Sequence, residues 1–121
     1  MTKQTQFQKR IASFKFAFNG IAYVLRTQRN AQIHFLAAIV VAVLGISYKI
    51  ETLEWCLIIF AIGLVIMAEM FNTTIEFLAD LISPEFHHKA GKAKDMAAGA
   101  VLIAAIVAAI IGIIVFIPKF F

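Results

Sequence analysis

Apolar positions in the first quarter of the chain recur at helical spacing. Phe7, Ile11, Phe14, Phe18, Ile21 and Leu25 are separated by 4, 3, 4, 3 and 4 residues. That is the stripe of one helix face. Lys9, Arg10, Lys15, Asn19 and Arg26 fall mostly off it. The spacing predicts a basic amphipathic helix over about residues 6–27. Such a helix lies in the headgroup plane of a membrane, or packs as a heptad seam on a neighbouring helix.

Beyond it the alternation gives way to unbroken apolar runs. Phe35 to Tyr48 is the shortest and gains length from Ala31 to His34. Leu53 to Ala68 is the second, and Met96 to Ile117 holds 22 residues without a charge. About 20 helical residues cross a hydrocarbon core of roughly 30 Å. The pattern therefore predicts spans over about residues 31–48, 53–83 and 92–117, an all-α membrane protein of one domain covering 1–121. Thr52 is a suitable cap for the second span. Pro84 disfavours helix at the residue before it, so that span ends near Ser83.

The second span changes character along its length. Trp55 to Ala68 is fourteen residues without a charge, and Glu69, Asn72, Glu76 and Asp80 then follow at spacings of 3, 4 and 4. At about 100° per residue they share an arc of roughly 80°. About 20 residues from Leu53 reach Asn72. Glu69 and Asn72 thus sit at the inner interface, with Glu76 and Asp80 beyond it. Carboxylates at this depth face a partner, water or an ion. Three carboxylates and an amide on one stripe suit a hard cation or a phosphate ligand with its metal.

Composition agrees with a membrane location: 62% of the 121 residues are hydrophobic and 15% charged. The net charge of +4 would suggest nucleic acid in a soluble protein. Here the basic residues flank spans, and an anionic phospholipid surface is the expected partner. Lys3, Lys9, Arg10, Lys15, Arg26 and Arg29 precede the first span, and Lys89, Lys92 and Lys94 fall between the second and third. Nine of eleven basic residues thus lie on one side, which predicts a cytoplasmic N-terminus and an outer C-terminus. The start of the chain has no short apolar run with a cleavage site, so no signal peptide is expected. Cys56 is the lone cysteine, which excludes an internal disulfide and a cysteine metal cluster.

Three helices are too few to surround a polar stripe, so lipid would touch much of it unless a neighbouring chain covered it. Small residues of the third span, among them Ala97, Ala98, Gly99, Ala104 and Gly112, permit close packing with such a neighbour. His34 reads as a packing or interfacial residue, Trp55 as an outer-interface anchor. From the residues alone the stripe serves inter-subunit packing, a cation or proton pathway, or catalysis. A non-catalytic cation transporter or assembly subunit is the alternative to an enzyme. The gathering of Glu76, Asp80, Lys94 and Asp95 at one interface argues against a path across the bilayer.

The segment from Ala68 to Asp80, Ala-Glu-Met-Phe-Asn-Thr-Thr-Ile-Glu-Phe-Leu-Ala-Asp, resembles the signature of the prokaryotic diacylglycerol kinase family, which includes the undecaprenol kinases. The likeness continues through Ser83-Pro84-Glu85-Phe86-His87 and from Gly91 to Val101, and upstream at Phe18 to Ile21 and Asn30 to His34. It implies a homotrimer of three-span chains in the bacterial inner membrane, with sites shared between subunits. The implied reaction moves the γ-phosphoryl of ATP, with Mg²⁺, onto a membrane lipid alcohol. Diacylglycerol would become phosphatidic acid, or undecaprenol its phosphate. The serine-proline loop and the Ile-Pro-Lys-Phe-Phe end lean towards the undecaprenol branch.

The resemblance also implies residue roles. Glu69 matches the general base, and Glu69 and Ala98 match lipid-binding positions. Glu76 matches a magnesium ligand, as does Gln28, where many relatives carry Glu. A neutral oxygen is the weaker ligand there. Lys9, Arg10, Phe16, Asn72, Asp80, Glu85, Phe86, His87, Lys94 and Asp95 match nucleotide-binding positions. Phe16 stands where some relatives have Tyr.

Overall fold

The computed structural model describes residues 3–85 and 87–121. These form helices α1 (Gln6–Thr27), α2 (Arg29–Ser47), α3 (Thr52–Ile82) and α4 (His88–Phe120). The last three are long and apolar enough to cross a membrane. The chain is an all-α, multi-pass membrane protein with an amphipathic helix ahead of its spans.

Thr5 starts α1 with a reciprocal cap. Its hydroxyl accepts from the Gln8 N–H at 3.1 Å, and its own N–H donates to Gln8 Oε1 at 2.9 Å. The apolar stripe of α1 is not covered within the protomer: Phe7, Ile11, Phe14 and Phe18 are all exposed. Only its last turns pack inward. Val24 is buried, and Tyr23 meets Phe77 of α3 edge-on at 5.9 Å between ring centres.

A single extended residue, Gln28, separates α1 from α2. Neither proline nor glycine makes this elbow. Polar side chains close it instead. Thr27 Oγ1 donates to the Tyr23 carbonyl at 2.7 Å, and Gln32 Nε2 donates to the Arg26 carbonyl at 3.0 Å. The Arg26 carbonyl, freed at the end of α1, thereby finds a donor.

At the opposite end of the spans, Lys49 takes a left-handed conformation, φ 50°, and the Ile50 N–H returns to the Gly45 carbonyl at 3.1 Å. This drives Ile50 into an apolar cluster with Ile58, Val115 and Phe116. Gly45 is required by contact. A Cβ there would lie 2.7 Å from Cη2 of Trp55. Trp55 is thus packed flat against α2, beyond the interfacial anchoring expected of it. Glu51, not Thr52, precedes the first turn of α3, and its N–H donates to Glu54 Oε1 at 3.0 Å. Glu54 also pairs with Lys119 Nζ at 3.1 Å, which fastens the end of α4 to the start of α3.

The α3–α4 pair carries most of the packing between helices. Ala61, Val65 and Ala79 of α3 and Ala97 and Ala104 of α4 are buried. Small side chains let the two backbones approach. α4 starts at His88, earlier than the Lys92 that the sequence suggests, because His87 Nδ1 accepts from the Lys89 N–H at 3.1 Å and caps the added turn.

Candidate active site

The polar stripe of α3 is graded in burial. Glu69 is 2% exposed and Thr73 4%. Asn72 and Glu76 are half-buried, and the Asp80 side chain is 64% exposed. The expectation that lipid would touch much of the stripe is thus corrected at its apolar end. There α2 crosses α3 and covers Glu69 within one chain.

The residue that covers it is His34. Its Nε2 lies 3.3 Å from Glu69 Oε1. The distance is ionic, yet Oε1 accepts no well-directed hydrogen bond. Sequence reasoning treated His34 as packing. One signal could have found it: it is the only ionisable side chain in α2 beyond Arg29.

One helical turn further, Asn72 Nδ2 donates to Glu76 Oε1 at 3.2 Å. Asn72 Oδ1 is buried and accepts nothing among the described residues. The amide thus holds one carboxylate oxygen of Glu76 and keeps a free acceptor beside it. At the polar end Lys94 Nζ makes an ion pair with Asp80 Oδ1, linking α4 to α3. The exposed ammonium retains donors for a further anion.

Asp80 and Lys94 border an open hollow of about 220 Å³ that Glu85, His87 and Asp95 also line. Five of the residues matched to nucleotide binding therefore converge on one space. Its volume falls below the roughly 300–1,000 Å³ of a small-molecule site. Since His87 Nδ1 accepts the helix cap, its ring proton sits on Nε2, which remains a donor at the surface.

Other expected site residues are not joined to this group within one chain. Lys9, Arg10 and Phe16 are exposed on α1, and Ala98 is exposed on α4. Among the described residues no hydrogen bond or ion pair ties Lys9, Arg10, Phe16 or Gln28 to the stripe; Gln28 Nε2 donates to Thr27 Oγ1 at 3.2 Å. Phe86 lies outside the described residues. No cluster of three or more His, Cys, Asp or Glu side chains occurs among those described. The donor set is thus no cage for a free ion. Glu76, with an unengaged oxygen and the free Asn72 acceptor beside it, fits a magnesium ion that brings phosphate oxygens and waters of its own.

The sequence model of the prokaryotic diacylglycerol kinase family matches residues 15–116. The chain is 42% identical over 107 residues to an undecaprenol kinase of Bacillus subtilis, covering 88% of this chain and 87% of the relative. It is 37% identical over 103 residues to a diacylglycerol kinase of Synechocystis, covering 84% of this chain and 59% of that one. A diacylglycerol kinase of Escherichia coli K12 is 30% identical over 106 residues, covering 88% and 87%. With most of its length matched in this way, and with the spans and acidic stripe described above, the chain belongs to the prokaryotic diacylglycerol kinase family.

Proposed function

We propose that this chain phosphorylates a membrane lipid alcohol with MgATP at the cytoplasmic face of the membrane, and that undecaprenol is the acceptor. The observation that carries the reading is the ordered stripe of α3. A buried carboxylate, Glu69, leads through the Asn72–Glu76 pair to the charged hollow at Asp80 and Lys94. An apolar alcohol and a charged nucleotide can meet only where such a gradient exists. The likeness to the Bacillus subtilis undecaprenol kinase supports the choice of acceptor.

In this reading Glu69 takes the proton of the lipid hydroxyl as its oxygen attacks the γ-phosphorus. The new oxygen–phosphorus bond forms as the bond to the β-phosphate oxygen breaks, and ADP leaves. Lys94 donates to the phosphates, with Asp80 keeping its ammonium in place. Glu76 holds the magnesium that arrives with ATP, Asn72 orients Glu76, and Gln28 supplies a neutral oxygen from the elbow. Bound there, magnesium neutralises charge on the β- and γ-phosphates. The partial hollow of one protomer supports a homotrimer whose neighbouring α1, with Lys9, Arg10 and Phe16, completes the nucleotide cradle.

The test is transfer of label from γ-labelled ATP to an organic-soluble product, with undecaprenol and diacylglycerol offered side by side. Undecaprenol should be labelled in preference. Glu69→Gln should lower the rate by about 10²–10⁴-fold, the usual contribution of a general base, and Glu76→Gln should lower it in step with loss of magnesium dependence. Label in neither lipid, or an unimpaired Glu69→Gln variant, would refute the proposal.

A further inference from the structure

Glu69 is walled off on nearly every side. Its side chain is 3% exposed, Val65 and Thr73 on the same helix are buried beside it, and Ala31 of α2 is wholly buried. Thr73 gives it no help, because Thr73 Oγ1 donates to the Glu69 carbonyl at 3.0 Å rather than to the carboxylate. A carboxylate in such a place carries two burdens: it needs a donor to stay in position, and any proton it receives needs a way out.

Among the described residues, His34 is the one side chain placed to meet both. Its Nε2 is 3.3 Å from Glu69 Oε1, and its side chain is 28% exposed, far wetter than its partner. The charged neighbours are few. Glu76, from α3, lies two turns along the stripe. Among the described residues α1 and α4 contribute no ionic contact to either Glu69 or His34. His34 also borders a small apolar crevice of about 100 Å³, with Ala37, Ala38 and Val65. Space thus adjoins His34.

We propose that His34 positions the Glu69 carboxylate and carries away the proton that Glu69 collects. This rests on the kinase reading above. The hydroxyl proton passes first to Glu69. Glu69, now a carboxylic acid, gives it to Nε2 of the neutral His34 tautomer whose proton sits on Nδ1, and returns to its carboxylate form. The imidazolium so formed loses its Nδ1 proton to water, which leaves Nε2–H to donate to the carboxylate; exchange with water restores the Nδ1–H tautomer before the next turnover. One proton leaves the lipid and one reaches solvent, and no other reactant is needed. His34 acts on the reaction through its contact with Glu69, as a positioning residue.

The test compares the unaltered chain with His34→Gln and His34→Ala, each assayed in lipid for label transfer. Glutamine retains a donor for Glu69 but cannot relay a proton. Both variants should lose about tenfold or more in kcat while the KM for MgATP stays within about twofold, the signature of an interaction made in the reaction step. Free imidazole should restore His34→Ala, with a rate that climbs with imidazole concentration, because truncation opens the crevice to it. It should leave His34→Gln unchanged. Binding of a non-hydrolysable ATP analogue should persist in both variants, which excludes misfolding as the cause. Activity of His34→Ala within about twofold of the unaltered chain overturns the assignment. So does a loss confined to KM, or a His34→Ala variant that imidazole fails to restore. If the unaltered chain itself labels no lipid, the kinase reading falls; if it labels lipid and the variants match it, only the role of His34 falls.

Discussion

At the scale of single residues, three polar pairs span the distance from hydrocarbon to water: His34 with Glu69, Asn72 with Glu76, and Lys94 with Asp80. The α3 members of these pairs were legible in the sequence because a 3.6-residue helix displays its own spacing. Of the two partners on other helices, Lys94 was also visible as a polar residue of the signature. The His34 contact was not, because periodicity on one helix says nothing about which residue of another crosses it. Gln28 stands where the resemblance implies a Glu as a magnesium ligand. If it stands beside the magnesium, Gln28→Glu supplies a second carboxylate, and hard cations bind more tightly as ligand charge increases. The variant should reach half-maximal rate at a lower magnesium concentration. A titration curve that does not move would place Gln28 away from the metal.

The helices themselves were foreseen to within a few residues at most ends, and the misses share a cause. α4 begins at His88 because a histidine ring nitrogen serves as its cap, a use of His that composition does not advertise. Glu51 rather than Thr52 precedes α3 because Glu54 reaches back to its N–H. Packing between helices was also hidden. The closest approach of α2 to the start of α3 depends on Gly45 lying under the Trp55 ring, a contact between residues ten apart that no periodicity encodes. Gly45→Ala places a methyl group 2.7 Å from that ring. It should destabilise the fold by about 1–3 kcal/mol, as overpacking does. A thermal melt in detergent would show a lowered midpoint, with activity per folded molecule preserved because the contact lies at the far end from Glu69. Trp55→Phe in the same chain should recover part of the loss.

For the molecule as a whole, most of the apolar surface of the spans points outward, including Phe60, Met67, Phe71 and Ile103. Lipid covers such surface, and so does a neighbouring chain. From the shortage of helices the sequence suggests a neighbouring chain that covers part of the stripe. The Glu69 end is enclosed within one chain, and the end at Asp80 and Lys94 is left open. This sets up a complementation test. Chains carrying Lys9→Ala with Arg10→Ala, and chains carrying Glu76→Gln, should each be inactive alone. Unfolded together and reassembled in lipid, they should regain measurable label transfer, since some assemblies bring an intact α1 to an intact stripe. Mixtures that stay inactive would confine each site to one chain.

The elbow at Gln28 has a mechanical meaning. The uncovered apolar stripe of α1 suits a helix lying along the bilayer face, and only one backbone unit turns between it and the span that follows. Crowding or thinning of headgroups that rocks the resting helix must twist that unit, so the pivot of the leading arm and a proposed magnesium ligand are the same amino acid. Bilayer thickness and charge would then act on metal geometry with no signal molecule in between.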